Sequence, residues 1–135
     1  RILSQGRLEE LLALCRDVGL DTLVEIHTPE DLAAARRAGA PLVGINNRNL
    51  ATFETDLNTA MGLARELDPA QVPVAASGIS GPADIRRNLQ SGIFNFLIGE
   101  TLVRADDPTA ALRAMIRAGE AGGPREQDVD RQDRP

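Results

Sequence analysis

The chain has 135 residues, enough for one domain with a buried core. Its formal charge of −5 and its three phenylalanines, with no tyrosine or tryptophan, exclude both a basic nucleic-acid surface and the aromatic platforms that single strands stack on. One cysteine, Cys15, leaves no disulfide framework and no cysteine-rich zinc site, and no metal ligand set is expected.

His27 is the only histidine, and there is no G-x-S-x-G turn to bring a nucleophile to it. No apolar run nears the ~18 residues of a membrane span, and no signal peptide is visible, so a cytoplasmic protein without membrane contact is expected. All 15 basic residues are arginine. A lysine acid or Schiff base therefore has to come from elsewhere. The chain opens on Arg1, which reads as a piece of a longer protein.

In chain order, Ser4 caps a helix that runs to about Gly19, with Leu8, Leu11, Leu12, Cys15 and Val18 at helical spacing. Leu23–His27 is a short strand. Thr28, Pro29 and Asp31 form the start of a second helix, with Leu32, Ala35 and Ala38 inward and Gly39 at its end. Pro41–Asn46 is the second strand, ending in the polar run Asn46-Asn47-Arg48-Asn49. A loop through Thr52-Phe53-Glu54 leads to a third helix, Leu57 to Leu67. Val72–Ala76 is the third strand, ending in Ser77-Gly78-Ile79. The fourth helix runs from Pro82 to Ser91-Gly92, and the fourth strand from Phe94 to Ile98, ending in Gly99-Glu100-Thr101. Asp107-Pro108 opens the last helix, carrying Leu112, Met115 and Ile116, which stops near Gly119. Residues 1–120 thus form one folded unit. Residues 121–135, rich in glycine, proline and charge, are expected to be a disordered tail.

A strand, loop and helix recur four times, which predicts parallel strands joined by right-handed crossovers. Apolar strands such as Phe96-Leu97-Ile98 predict burial on both faces. An open doubly wound sheet and part of a barrel both satisfy this. Polar or glycine residues at the end of every strand favour the barrel, because its working rim lies at the carboxyl ends of the strands. Ser77-Gly78 and Gly99-Glu100, each leading into helix, suit a phosphate held by backbone N–H groups. The predicted fold class is therefore α/β: half of a (β/α)8 barrel, strands 5 to 8.

Four stretches carry a family resemblance: Leu23-Val24-Glu25-Ile26-His27, Gly44-Ile45-Asn46-Asn47-Arg48-Asn49-Leu50, Ser77-Gly78-Ile79, and Phe96 to Arg104. Together they resemble indole-3-glycerol phosphate synthase, over about Leu8 to Ile116. That resemblance implies closure of the indole ring of 1-(2-carboxyphenylamino)-1-deoxyribulose 5-phosphate with loss of carbon dioxide and water, a step of tryptophan biosynthesis, with no cofactor.

It assigns Glu25 to proton transfer, Asn46 to the substrate at the catalytic centre, and Arg48 to the substrate carboxylate. Ser77, Gly78, Gly99 and Glu100 fall to the phosphate cradle, which works mainly through backbone N–H groups. On residue type alone, Glu25 reads as a charge paired with a rim arginine, Arg48 serves equally as a structural ion-pair partner, and the Asn run as a polar turn.

Two departures stand out. Ala75-Ala76 replaces a Ser-Glu pair usual in the family, and the family's catalytic lysines belong to the first half of the barrel. The segment alone is therefore expected to be inactive, with the missing amino-terminal half or a second copy as its partner and a phosphorylated small molecule as its substrate. The alternatives are a non-catalytic half-barrel that binds a phosphorylated ligand and self-associates, and another phosphate-binding barrel such as a phosphoribosyl isomerase. The Asn46–Leu50 run argues against the isomerase.

Overall fold

The computed structural model describes residues 3–47 and 57–122. Helix α1 (Gln5–Asp17) starts at Ser4, whose hydroxyl accepts the Arg7 N–H at 3.3 Å. After β1 (Leu23–Ile26), helix α2 (Pro29–Arg37) opens on a reciprocal cap. Thr28 Oγ1 accepts the Asp31 N–H at 3.2 Å while Asp31 Oδ2 accepts the N–H groups of Thr28 and His27, both at 3.1 Å. Both helices end where the sequence places Gly19 and Gly39, each left-handed. There follow β2 (Leu42–Asn46), α3 (Leu57–Ala64), β3 (Val72–Ala76), α4 (Pro82–Leu89), β4 (Asn95–Leu97), the five-residue α5 (Glu100–Arg104) and α6 (Pro108–Gly122).

The strands are all parallel and lie in the order β1-β2-β3-β4, each beside its neighbour in sequence. A doubly wound sheet reverses its strand order and carries helices on both faces. Among the described residues, helices cover one face alone. Ile26, Val43, Ile45 and Ala75 are buried on it beneath Leu32, Ala35, Ala60, Leu63, Ile85, Leu89 and Met115 of the helices. Alternation puts Leu23, Leu42, Val72 and Leu97 on the opposite face, where Leu23 is 37%, Val72 41% and Leu97 54% exposed. Sequential parallel strands with helices on one side are half of a (β/α)8 barrel, and the bare face is the one a closed barrel fills with side chains.

That arrangement corrects one expectation. Phe96-Leu97-Ile98 is not buried on both faces, because β4 is an edge strand with an uncovered inner side. It is also shorter than Phe94–Ile98, and Pro73 explains its late start. Proline has no N–H to give the ladder, so pairing of β3 with β4 begins at Val74 opposite Asn95. The Pro73 carbonyl takes the Asn95 side-chain amide instead, at 3.2 Å.

Helix α3 ends at Ala64 rather than Leu67. Gly119 does not end α6, which continues to Gly122; one glycine inside a helix costs only ~1 kcal/mol. Ala121 and Gly122 are thus helical. The rest of the expected tail and the Thr52-Phe53-Glu54 loop lie outside the described residues.

Candidate functional site

The inner face of the sheet is built in rows. Glu25 of β1 stands level with Gly44 of β2, Val74 of β3 and Asn95 of β4. A Cβ on Gly44 would sit 3.2 Å from Leu23 Cγ and 3.4 Å from Glu25 Cγ. The Leu23 and Glu25 side chains therefore lean across β2, over ground that only glycine leaves open. A glycine inside an apolar strand is the sequence signal for such an approach, although residue type alone gives Gly44 no role of its own.

The next row is Asn46, Ala76 and Leu97. Asn46 is 8% exposed at the carboxyl end of β2. Its carbonyl oxygen lies 2.7 Å from His27 Nδ1. A carbonyl can only accept, so that ring nitrogen carries the proton and the lone histidine ties the end of β1 to the end of β2. Of the Ala75-Ala76 pair, Ala76 alone belongs to this inner row. Ala75 is in the helix-side core, so the two alanines remove one group from the inner surface rather than two.

Asn47, next along, does different work. It is 1% exposed. Its Nδ2 donates to the carbonyls of Ala76 (3.2 Å) and Ser77 (3.1 Å), and its Oδ1 accepts the Ala60 N–H at 3.2 Å. One amide thus fastens the end of β3 and the first turns of α3 to the end of β2. The turn it fastens is strained: Ser77 (φ 63) and Gly78 (φ 71) are successive left-handed residues, a conformation disfavoured by about 1–2 kcal/mol for a residue with a Cβ. The residue types of the Asn run announced a polar site, and nothing in their order separated the asparagine facing the barrel from the one holding it together.

Beyond the ends of β3 and β4 lies a cleft of about 420 Å³. Ser77, Gly78, Gly99, Glu100, Thr101 and Arg104 line it. Thr101 Oγ1 donates to the Ile79 carbonyl at 2.5 Å, which ties the two loops together. Arg104 reaches Glu100 at 3.2 Å along one turn of α5. Gly99 has φ −119 and open space where a Cβ would stand.

The structure brings together Ser77, Gly78, Gly99 and Glu100. Glu25 and Asn46 are separate from that cleft, on the inner faces of β1 and β2. Arg48 lies outside the described residues. Among the described residues, no cluster of histidine, cysteine and carboxylate side chains could hold a metal ion, and no helix is long and apolar enough to cross a membrane. In the first turn of α2, burial raises the Asp31 carboxyl, but hydrogen bonds from the His27 and Thr28 N–H groups and the Thr28 side chain outweigh it and hold the pKa below its usual value.

Comparison with known proteins identifies the arrangement. The indole-3-glycerol phosphate synthase family model matches residues 1–115. The indole-3-glycerol phosphate synthase of Desulfosudis oleivorans is 55% identical over 116 residues, covering 86% of this chain and 44% of that protein. The one from Syntrophobacter fumaroxidans is 51% identical over 118 residues, covering 87% and 44%. Among solved structures, the Amycolatopsis orientalis BexX/CysO complex superposes with a TM-score of 0.68 at 19% identity, over 98% of this chain and 53% of that one. That likeness concerns the fold alone. The chain spans less than half the length of the curated relatives it matches, and it belongs to the indole-3-glycerol phosphate synthase family.

Proposed function

We propose that this chain supplies the carboxyl-terminal half of an indole-3-glycerol phosphate synthase barrel. Its substrate would be 1-(2-carboxyphenylamino)-1-deoxyribulose 5-phosphate. A new carbon–carbon bond closes the five-membered ring, and the carboxylate leaves as carbon dioxide and a hydroxyl as water, giving indole-3-glycerol phosphate for tryptophan biosynthesis. The observation that carries the reading is the 55% identity over 116 residues of a chain that folds as four parallel strands alternating with helices.

In this reading Glu25, held over Gly44, moves a proton at the reacting centre, and Asn46 orients the substrate beside it. Arg48 meets the carboxylate before it is lost. The phosphate rests in the cleft against the backbone N–H groups of the Ser77-Gly78 and Gly99-Glu100 turns. Glu100 takes part through its backbone, since a carboxylate beside a phosphate repels it.

The lysines that the family uses belong to the other half of the barrel, and this chain has none. That half would also cover Leu23, Val72 and Leu97. A second copy is the other occupant the bare face admits, and Ala76 in place of a carboxylate is the observation in favour of a non-catalytic pairing of that kind.

The test is reconstitution. The chain is co-expressed with the amino-terminal half of the Desulfosudis oleivorans synthase, and formation of indole-3-glycerol phosphate is followed. The pair should turn over and the chain alone should not, with Glu25→Gln lowering the rate of the pair by ~10²–10⁴-fold. A pair that folds together and stays inactive refutes the proposal.

A further inference from the structure

We infer that Thr101 is a positioning residue that sets the spacing of the two turns lining the cleft. The inference rests on the phosphate reading of that cleft and adds to it the group that holds the cradle in shape.

The ladder between β3 and β4 stops at Ala76 opposite Leu97. Past that point nothing in the sheet fixes how far the Ser77-Gly78 turn stands from the Gly99-Glu100 turn. Thr101 spans the interval, with its Oγ1 2.5 Å from the Ile79 carbonyl oxygen. Ile79 is buried in the core immediately after Gly78.

The same peptide unit is gripped at its other end. The Ser80 N–H donates to Asp84 Oδ2 at 2.9 Å, and the Ser80 hydroxyl donates to the same oxygen at 2.6 Å. The Ile79–Ser80 peptide is thus held through its carbonyl by α5 and through its N–H by α4. A peptide fixed at both ends cannot turn, and the left-handed pair Ser77-Gly78 directly before it is kept in register with Gly99. Binding a compact anion between two turns depends on that register, because hydrogen bonds weaken steeply as distance and angle depart from ideal.

The chemistry separates this role from simple packing. Valine keeps the branched shape of threonine and loses the hydroxyl. Serine keeps the hydroxyl and loses the methyl. If Thr101 acts through its hydrogen bond, serine rescues and valine does not. If it acts by filling space, the order reverses.

The experiment titrates inorganic phosphate into the full 135-residue chain and follows the amide resonances of Gly78 and Gly99. Thr101→Val should weaken phosphate binding about three- to tenfold, the range of one net hydrogen bond. Thr101→Ser should stay within about twofold of the parent. Thr101→Ala, which also lacks the hydroxyl, takes the place of the valine variant should that variant not fold, with the same expectation. Parent-like binding by the hydroxyl-free variant, or serine failing as badly as valine, overturns the inference while the cleft keeps its phosphate. Absence of any phosphate-dependent shift at Gly78 and Gly99 in the parent overturns the phosphate reading, and this inference with it.

Discussion

Replacing Asn47 by alanine tests how the site is held together. The side chain makes three hydrogen bonds, to the carbonyls of Ala76 and Ser77 and from the Ala60 N–H. At roughly 1 kcal/mol net each, their loss costs ~3 kcal/mol. Stripping the Ala60 N–H of this buried partner adds about 1–3 kcal/mol. Against that, Ser77 is freed to leave its left-handed conformation, which returns ~1 kcal/mol. The net is a destabilisation of ~3–5 kcal/mol, or roughly 10–18 °C in the unfolding midpoint of a chain this size. Thermal unfolding followed by far-ultraviolet circular dichroism measures it. Asn46→Ala, one residue earlier on the inner face, should unfold closer to the parent and lose substrate affinity instead. If the two alanine variants unfold together, Asn47 is not the fastening the structure shows.

Other expectations follow from the same geometry. Asp31 has a depressed pKa, so its contribution to stability is present above the unfolded carboxylate value and lost as pH falls through the folded one. Asp31→Asn should therefore flatten the loss of stability below about pH 4 in acid titrations, and an unchanged acid limb would count against the cap. In a reconstituted barrel, Gly99→Val should weaken substrate binding by ~1–3 kcal/mol while the fold stays intact, because its backbone is unstrained and the new Cβ meets open space in the cleft. Gly78→Val, at φ 71, should lower stability as well, and a titration paired with thermal unfolding separates the two. Glu100→Gln should not weaken binding, and if it does so as much as Gly99→Val the cradle works through side chains. The bare inner face and open edges should drive association of the isolated chain, so a monodisperse monomer in analytical ultracentrifugation would contradict them.

Much of this architecture is legible in the residues. Thr28-Pro29-Glu30-Asp31 spells a helix start, and Gly19 and Gly39 mark helix ends, because those conformations depend on side chains within a turn of the cap. Strand–loop–helix periodicity likewise gives the parallel sheet, and glycine beside serine or glutamate at strand ends gives the rim. What escapes the sequence depends on the missing neighbour or on partners far along the chain. The apolar Phe96-Leu97-Ile98 promises burial that only a closed barrel delivers. The division of labour between Asn46 and Asn47 is decided by which side of β2 each side chain leaves, against residues ~30 positions later. Gly119 looks like a helix end, yet α6 runs through it, because a single glycine lowers helix propensity without forbidding the conformation. The family resemblance, not residue type, singles out Glu25.

Pro73 has a consequence for motion. The pairing of β2 with β3 runs the full length from Leu42 opposite Val72 to Asn46 opposite Ala76, while β4 joins only from Asn95 to Leu97. Since each strand pairs with its neighbour in sequence, the sheet can lose an outer strand without disturbing the central ladder, as repeat proteins shed terminal units. The Asn95 side chain on the Pro73 carbonyl is a single tether where the ladder cannot form. Native-state hydrogen exchange should therefore release the amides of β4 at lower free energy than those of β2, in a separate cooperative unit. In that hierarchy Gly99 follows a strand that opens early and Ser77-Gly78 follow one that opens late, so the two sides of a single binding cleft have unequal lifetimes.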